Sequence, residues 1–275
     1  MDVSLLFALL VQHAPPGQTA FSVEVANECV KQETCEGARW SDFYSTWTRK
    51  ESAEHGAKRY ETIATTLVDT ARELLCRAPD DSPLPDCVAA KGVFDPQTKR
   101  ARWDVTTLSV AGAAVAMLES GYREDVQVGR GSARKPSQDG GRGRGPGGEG
   151  CLIQAHPQSA WRFSDAPAEL KQKAEKGDKE ARTLIVESLL GIDPESLKRC
   201  WRTGLRMLIH SRAYCAWASP KTDWDFATYS MYGTGTSCTS PNDGKTTMRT
   251  RLFRTILTEA KERAPKPRKP GSQRS

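Results

Sequence analysis

Long hydrophobic runs are missing from this chain of 275 residues. A stretch that is nearly all apolar runs from Val3 to Val11, about half of the roughly 20 residues that a membrane-spanning helix needs. No membrane span is therefore expected. The stretch has the length of a signal-peptide core, but Asp2 stands where such a peptide carries positive charge. Residues 1–20 are thus expected to be either a leader or the first core helix.

Closely spaced metal ligands are also missing. None of the eight cysteines forms a C-x-x-C pair and the four histidines lie far apart in sequence, so no metal site is predicted. The even number of cysteines, with close pairs Cys29/Cys35 and Cys76/Cys87, favours local disulfides over long-range ones. Disulfides imply an oxidising compartment, periplasmic or extracellular. The alternative is eight buried thiols in a reducing cytoplasm.

Excess positive charge is absent from most of the chain, although the formal net charge is +6. Residues 129–150 carry five basic and two acidic residues, and residues 261–275 carry six basic and one acidic. The remainder has 29 basic against 31 acidic residues. The charge therefore lies in a glycine-rich loop and a Pro/Lys/Arg tail expected to be disordered. Both would attract a polyanion such as nucleic acid, anionic lipid or a cell-wall polymer, without selecting among them.

Aromatic residues are absent from 129–150. Basic segments that bind single-stranded nucleic acid usually carry interleaved aromatic side chains, so a nucleic-acid partner is not expected. Gly143, Gly145 and Gly148 spell G-x-G-x-x-G, but the motif binds nucleotides only between a strand and a helix. Neither is predicted here, and no nucleotide site is inferred.

Convincing runs of alternating strand residues are missing too, and the chain is expected to be mainly α. Apolar residues from Tyr60 to Leu75 recur at i, i+3, i+4 and i+7, which predicts an amphipathic helix. Further helices are predicted over 178–190 and 224–232. A long helix begins after Asp193, which serves as N-cap, with Pro194 at N1. A last helix is predicted over 247–260, with four apolar residues aligned on one face: Met248, Leu252, Ile256 and Leu257.

The helix of most interest begins near Asp104, with Asp104 or Thr106 as N-cap, and ends at Gly121. It is almost wholly apolar, yet Glu119 lies on its apolar face, in register with Val115. Desolvation and the negative end of the helix both favour the protonated carboxyl group that a general acid needs. Alternatively, Glu119 turns to solvent or pairs with Arg123.

Three segments in order resemble the lysozyme-like superfamily, in particular soluble lytic transglycosylases and goose-type lysozymes. Glu119-Ser120 resembles the catalytic Glu-Ser pair at the end of a buried helix. The segment 151–154 (CLIQ) resembles the Gly-Leu-Met-Gln segment, and 232–235 (YGTG) resembles Tyr-Asn-x-Gly. Cys151 replaces the family's Gly and Gly233 its Asn. The resemblance covers about residues 104–240.

The resemblance implies an enzyme that cleaves peptidoglycan between N-acetylmuramic acid and N-acetylglucosamine, with Glu119 as acid and no cofactor. A hydrolase would need a second carboxylate, whereas a lytic transglycosylase uses one Glu as acid and then as base, closing a 1,6-anhydro ring. We favour the single-carboxylate route. The candidates for a second carboxylate are Glu124, Asp125, Asp139, Glu149 and Asp225.

Supporting roles follow for residues near the three segments. Ser120, Tyr122, Gln154, Tyr229 and Tyr232 are the expected substrate-binding residues. Gln154 would bond an N-acetyl or hydroxyl group, and Tyr232 would reach Glu119 or the sugar; the alternatives are ordinary structural roles. Tryptophans in a helical domain more often belong to the core; Trp201 is assigned there, and Trp161 and Trp224 could stack on sugars.

The expected organisation is a helical region over 21–100, a lysozyme-like catalytic domain over 101–260 that contains the basic loop 129–150, and the tail 261–275. We expect a monomer that acts on peptidoglycan strands. The competing interpretations are a muramidase with two carboxylates and a non-catalytic module that binds cell-wall glycans.

Overall fold

Helices dominate the computed structural model, which describes residues 1–13, 53–75, 93–95, 100–129, 148–239 and 244–264. The expectation of a mainly α fold is confirmed. The helices of those ranges are α1 (Val3–Gln12), α2 (Ala53–Leu75), α3 (Val105–Ser120), α4 (Glu124–Gln127), α5 (Pro157–Phe163), α6 (Ala168–Glu175), α7 (Lys179–Glu187), α8 (Pro194–Ala218), α9 (Trp224–Thr234) and α10 (Gly244–Arg263).

Helix ends follow the local signals in the sequence. The Asp104 carboxylate accepts a hydrogen bond from the Thr107 amide at 2.6 Å and begins α3. Gly121 ends it in the left-handed conformation, with φ 58°. Asp193 caps α8 through the Ser196 amide at 2.9 Å, with a proline in its first turn. These predicted helix starts and stops are confirmed.

The core is built around α3, which is buried on nearly every side. Its small residues let neighbouring helices approach closely. A Cβ atom at Gly112 would lie 2.7 Å from a methyl carbon of Leu205 on α8 and 3.1 Å from one of Leu67 on α2. Helix α10 packs on another side of α3. A helix that is apolar all round has no solvent face and takes the centre of the fold.

Helix α1 belongs to the same core. Leu6, Leu9 and Leu10 are fully buried in one cluster with side chains of α2, α3 and α10. The N-terminal helix thus packs into the core of the described residues. The apolar side chains of α2 lie in this cluster as well, so residues of the range 21–100 share a core with those of 101–260.

Some elements differ from the predictions. Helices α5 and α6 were not predicted, because they are short and α6 is rich in charged residues. An antiparallel pair of strands, β1 (Val93–Asp95) and β2 (Arg100–Trp103), precedes α3. Met248 is 57% exposed, so aligning it with the buried face of α10 was wrong. The buried stripe carries Phe253, Ile256 and Ala260. The prediction is thus confirmed for Ile256, while Leu252 and Leu257 are partly buried beside the stripe.

Two disulfides are present among the described residues, and both are long-range. Cys151 bonds Cys200, and Cys215 bonds Cys238. The expectation of disulfides is confirmed for these four cysteines. The predicted local pairs lie outside the described residues, as do most of the basic loop and the tail from residue 265 onward. Among the helices described, none is long and apolar enough to cross a membrane.

Candidate functional site

Glu119, in the last turn of α3, lies at the centre of the site. It is only 7% exposed. Its Oε1 forms an ion pair with Nη2 of Arg249, which α10 carries. Arg249 is itself 2% exposed. Burial lowers the pKa of Arg249 to about 10, which leaves the guanidinium charged at neutral pH. Arg249 was not among the partners predicted for Glu119.

Arg249 changes the electrostatics expected for Glu119. An opposite charge in direct contact favours the ionised carboxylate, whereas desolvation and the helix end favour the protonated form. From the sequence, desolvation, the helix end and Arg123 as an alternative partner were expected to act on Glu119, but Arg249 was not. A signal was present: Arg249 lies four residues before Phe253 and seven before Ile256, on the buried stripe of α10. An arginine on an apolar stripe needs a buried anion.

Tyr232 of α9 connects the ion pair to the CLIQ turn. The guanidinium carbon of Arg249 lies 5.8 Å from the centroid of the Tyr232 ring. The Tyr232 hydroxyl donates a hydrogen bond to the carbonyl oxygen of Ile153 at 2.9 Å. Burial raises the pKa of Tyr232, so it remains a donor across the physiological range. The three segments quoted above therefore meet around Glu119, Arg249 and Tyr232.

The CLIQ turn is a tight loop closed by hydrogen bonds between Gly150 and Ala155 at 2.8 and 3.2 Å. Cys151 and Gln154 both have left-handed backbones, with φ of 57° and 50°, a region that favours glycine. The disulfide to Cys200 fixes Cys151 to α8. The side-chain Nε2 of Gln154 donates to the Cys151 carbonyl oxygen at 3.2 Å, and the residue is half-buried.

A close helix contact supports the same turn from behind. A Cβ atom at Gly204 of α8 would lie 2.7 Å from Cδ1 of Ile153. Glycine at this position therefore lets the CLIQ turn pack directly onto the helix. The disulfide and this contact give Gln154 and the acceptor of Tyr232 a fixed position.

Three of the expected substrate-binding residues point inward instead. Ser120, Tyr122 and Tyr229 are at most 1% exposed. Their hydroxyls donate to the carbonyl oxygens of Ala116, Ala113 and Ala111, respectively, all on α3. Burial raises the pKa of both tyrosines well above the usual value. These side chains hold the site together, and their hydroxyls are closed to a ligand in this structure.

The candidate second carboxylates that are described each have a basic partner. Glu124 lies 2.8 Å from His55, and Glu149 lies 3.9 Å from His156. Asp225 lies 3.0 Å from Arg254. The Asp125 side chain and Asp139 lie outside the described part of the chain. Across that part, no three His, Cys, Asp or Glu side chains are grouped as metal ligands.

The tryptophans fall into two environments. Trp201 is fully buried, as expected, and its indole donates to Thr66 Oγ1 at 3.1 Å. Trp161 is partly exposed and donates to the Gln158 carbonyl at 3.0 Å. The guanidinium of Arg212 lies 5.0 Å from the Trp224 ring. Trp224 lines a shallow polar cavity at the start of α9, so it stays a possible sugar contact.

No family model, curated protein or solved structure matches this chain. The protein is therefore characterised by its own fold and site. It is a mainly helical protein in which the central helix ends in a buried, ion-paired glutamate.

Proposed function

We propose that this protein is a lytic transglycosylase, which cleaves peptidoglycan strands between N-acetylmuramic acid and N-acetylglucosamine, with Glu119 as the only catalytic carboxylate. The observation that supports the proposal is the meeting of the Glu119, CLIQ and Tyr232 segments around one buried ion pair. These segments carry the resemblance to that family and are far apart in sequence. A periplasmic or extracellular location and a monomeric state are part of the same proposal.

The reaction has two proton transfers. Protonated Glu119 gives its proton to the bridging oxygen, and the glycosidic bond to the muramic anomeric carbon breaks. The resulting carboxylate takes the proton of the muramic C6 hydroxyl, and O6 bonds to the anomeric carbon. No water is consumed, because the bridging oxygen keeps the first proton and Glu119 regains a proton from the C6 hydroxyl.

Arg249 has a defined part in this cycle. It stabilises the carboxylate between the two transfers and opposes the protonated form that begins the reaction. An ion-paired carboxylate is a poor acid donor, so Glu119 must be protonated within the pair before it can act as the acid. The basic partners of Glu124, Glu149 and Asp225 favour the single-carboxylate route over a muramidase with two carboxylates.

The test is mass spectrometry of soluble fragments released from purified sacculi by the disulfide-bonded protein. We expect the wild type to release fragments ending in anhydro-muramic acid, one water lighter than reducing-end products. Glu119→Gln should release none, because an amide cannot donate the proton. Glu180→Gln removes an exposed carboxylate on α7 and should match the wild type.

Two other results would reject the proposal. Fragments with reducing ends would show hydrolysis, with a water-activating carboxylate still to be found. The buried ion pair also suits a second candidate function, a non-catalytic glycan-binding module in which Glu119 is structural. Co-sedimentation with sacculi without fragment release, by wild type and Glu119→Gln alike, would establish that function instead.

A further inference from the structure

A cavity of about 160 Å³ lies between α2, the turn after α3 and the start of α8. It is distinct from the Glu119–Arg249 pair but adjacent in the chain. Tyr122, three residues after Glu119, and Leu152, two residues before Gln154, both lie at its wall. The cavity therefore shares its supporting turns with the proposed catalytic site.

The floor of the cavity is apolar. Ile63, Leu152 and Leu197 line it and are at most 5% exposed. Ile192 stands at the rim with 54% of its surface exposed. Apolar floors favour aliphatic groups, because filling them removes hydrocarbon surface from water. A methyl-bearing group fits this lining better than a sugar ring edged with hydroxyls.

One wall is fixed by a buried glutamine. Gln127 donates from Nε2 to the carbonyl oxygens of Leu189 and Gly191, at 3.0 and 2.8 Å. Its Oε1 accepts the Leu152 amide at 3.0 Å. The side chain thus joins two loops at the cavity wall. A wall held by three hydrogen bonds is already formed before a ligand arrives, which reduces the ordering cost of binding.

The mouth of the cavity has an excess of positive charge. Lys58 and Arg59 of α2 line it, and the Lys58 side chain is exposed. The acidic residue of the lining, Glu124, faces His55 at 2.8 Å. Arg59 also donates a hydrogen bond to the Tyr122 carbonyl oxygen. A carboxylate at the opening above an aliphatic group below complements this arrangement.

The volume excludes a whole ligand of ordinary size. A cavity of about 150 Å³ holds a group the size of benzene, whereas complete ligand sites usually measure roughly 300 to 1,000 Å³. The cavity therefore takes one end of a larger molecule. An end that is small and aliphatic and carries a carboxylate complements the apolar floor and the positively charged mouth.

We propose that this cavity binds the carboxylate end of the alanine-rich peptide that branches from a peptidoglycan strand. The inference rests on the proposed function, because it makes the cavity a second contact with the same substrate. Methyl groups of the peptide lie on Ile63, Leu152 and Leu197, and its terminal carboxylate faces Lys58. Peptide-bearing strands are thereby preferred over strands stripped of their peptides.

The test measures binding directly and without cleavage. The full-length protein is titrated with N-acetyl-D-alanyl-D-alanine and with the same dipeptide as its terminal amide, by calorimetry and amide NMR. We expect millimolar binding of the acid, with shifts at Ile63 and Leu152, and roughly three- to tenfold weaker binding of the amide. Lys58→Gln should remove that preference, because the exposed lysine supplies the charge.

Lys173→Gln on α6 is the matched control, since it removes an exposed lysine away from the cavity, and it should keep the preference. Equal binding of acid and amide, or shifts confined to other residues, would overturn the inference. Both readouts are independent of bond cleavage. A protein that binds the dipeptide but releases no anhydro fragments would reject the transglycosylase and leave peptide recognition in place.

Discussion

At the scale of single residues, the Glu119–Arg249 pair dominates the energetics of the site. Both partners are almost completely buried, and burying two charges costs several kcal/mol that their attraction must offset. Within the described part of the chain, Nε and Nη1 of Arg249 have no hydrogen-bond partner, so the cation depends strongly on Glu119. Arg249 is tolerated in the core chiefly because Glu119 is present.

Removing one member of the pair should therefore cost more than removing both. We expect Arg249→Met to lower the free energy of unfolding by about 3–5 kcal/mol, because it leaves a buried carboxylate without its cation. The deficit should shrink as the pH falls, because protonation removes the uncompensated charge. Urea denaturation at several pH values measures it.

The double variant Arg249→Met/Glu119→Leu is the control for lost packing. It should recover most of the stability, since both charges are gone. A single variant as stable as the wild type at neutral pH would show that Glu119 has enough other partners to remain ionised without Arg249.

At the scale of elements, α1 contacts the rest of the fold through its apolar face and through polar residues at its C-terminal end. Leu6, Leu9 and Leu10 fill the core, while Gln12 and His13 contact Glu259 of α10 at 2.8 and 3.0 Å. Helix α10 is also the element that carries Arg249. The packing of α1 thus supports the helix that delivers the cation to Glu119.

Core truncation in α1 should be expensive. We expect Leu9→Ala to lower the free energy of unfolding by about 2–5 kcal/mol, the range for a leucine removed from a filled core. Leu5→Ala removes the same atoms from a half-buried position and should cost clearly less. Thermal and urea denaturation compare the two, and equal small losses would mean that α1 contributes little to the core.

At the scale of the whole molecule, the two disulfides of the described residues join distant parts of the chain, one in the main core and one in a smaller cluster. The Cys151–Cys200 bond closes a separation of 49 residues and fixes the CLIQ turn to α8, whereas Cys215–Cys238 closes 23 residues between α8 and the end of α9. Cross-links restrict the unfolded chain, more so for longer loops. Only the first bond holds a turn of the proposed site. Removing each bond in turn therefore distinguishes an effect on stability from an effect on site geometry.

Replacing each pair by serines should therefore have different consequences. Loop entropy gives losses of about 4 kcal/mol for Cys151→Ser/Cys200→Ser and about 3 kcal/mol for Cys215→Ser/Cys238→Ser, measured from urea midpoints. Fragment release should fall further for the first pair, because Gln154 and the Tyr232 acceptor lose their anchor. Equal loss of release, after correction for the folded fraction, would argue against a role for the CLIQ turn.

Much of the fold could be predicted because its signals are local. Helix ends are set by residues within one turn of the chain: the carboxylates of Asp104 and Asp193 begin helices, and the left-handed Gly121 ends one. The all-round apolar character of α3 already required a central position. Short or charged elements such as α5 and α6 carry weaker signals. The apolar pattern of α10 also placed Met248 on the buried face, although it is exposed.

The sequence by itself determined that the protein is mainly helical, where its strongest helices begin and end, and that Glu119 closes an apolar helix. Only the tertiary structure decided that Arg249 neutralises Glu119, that Cys151 pairs with Cys200, and that Tyr122 and Tyr229 point inward. The physical reason is range. Caps and periodicity act over a few residues, whereas the partner of a buried charge or thiol depends on how distant helices pack.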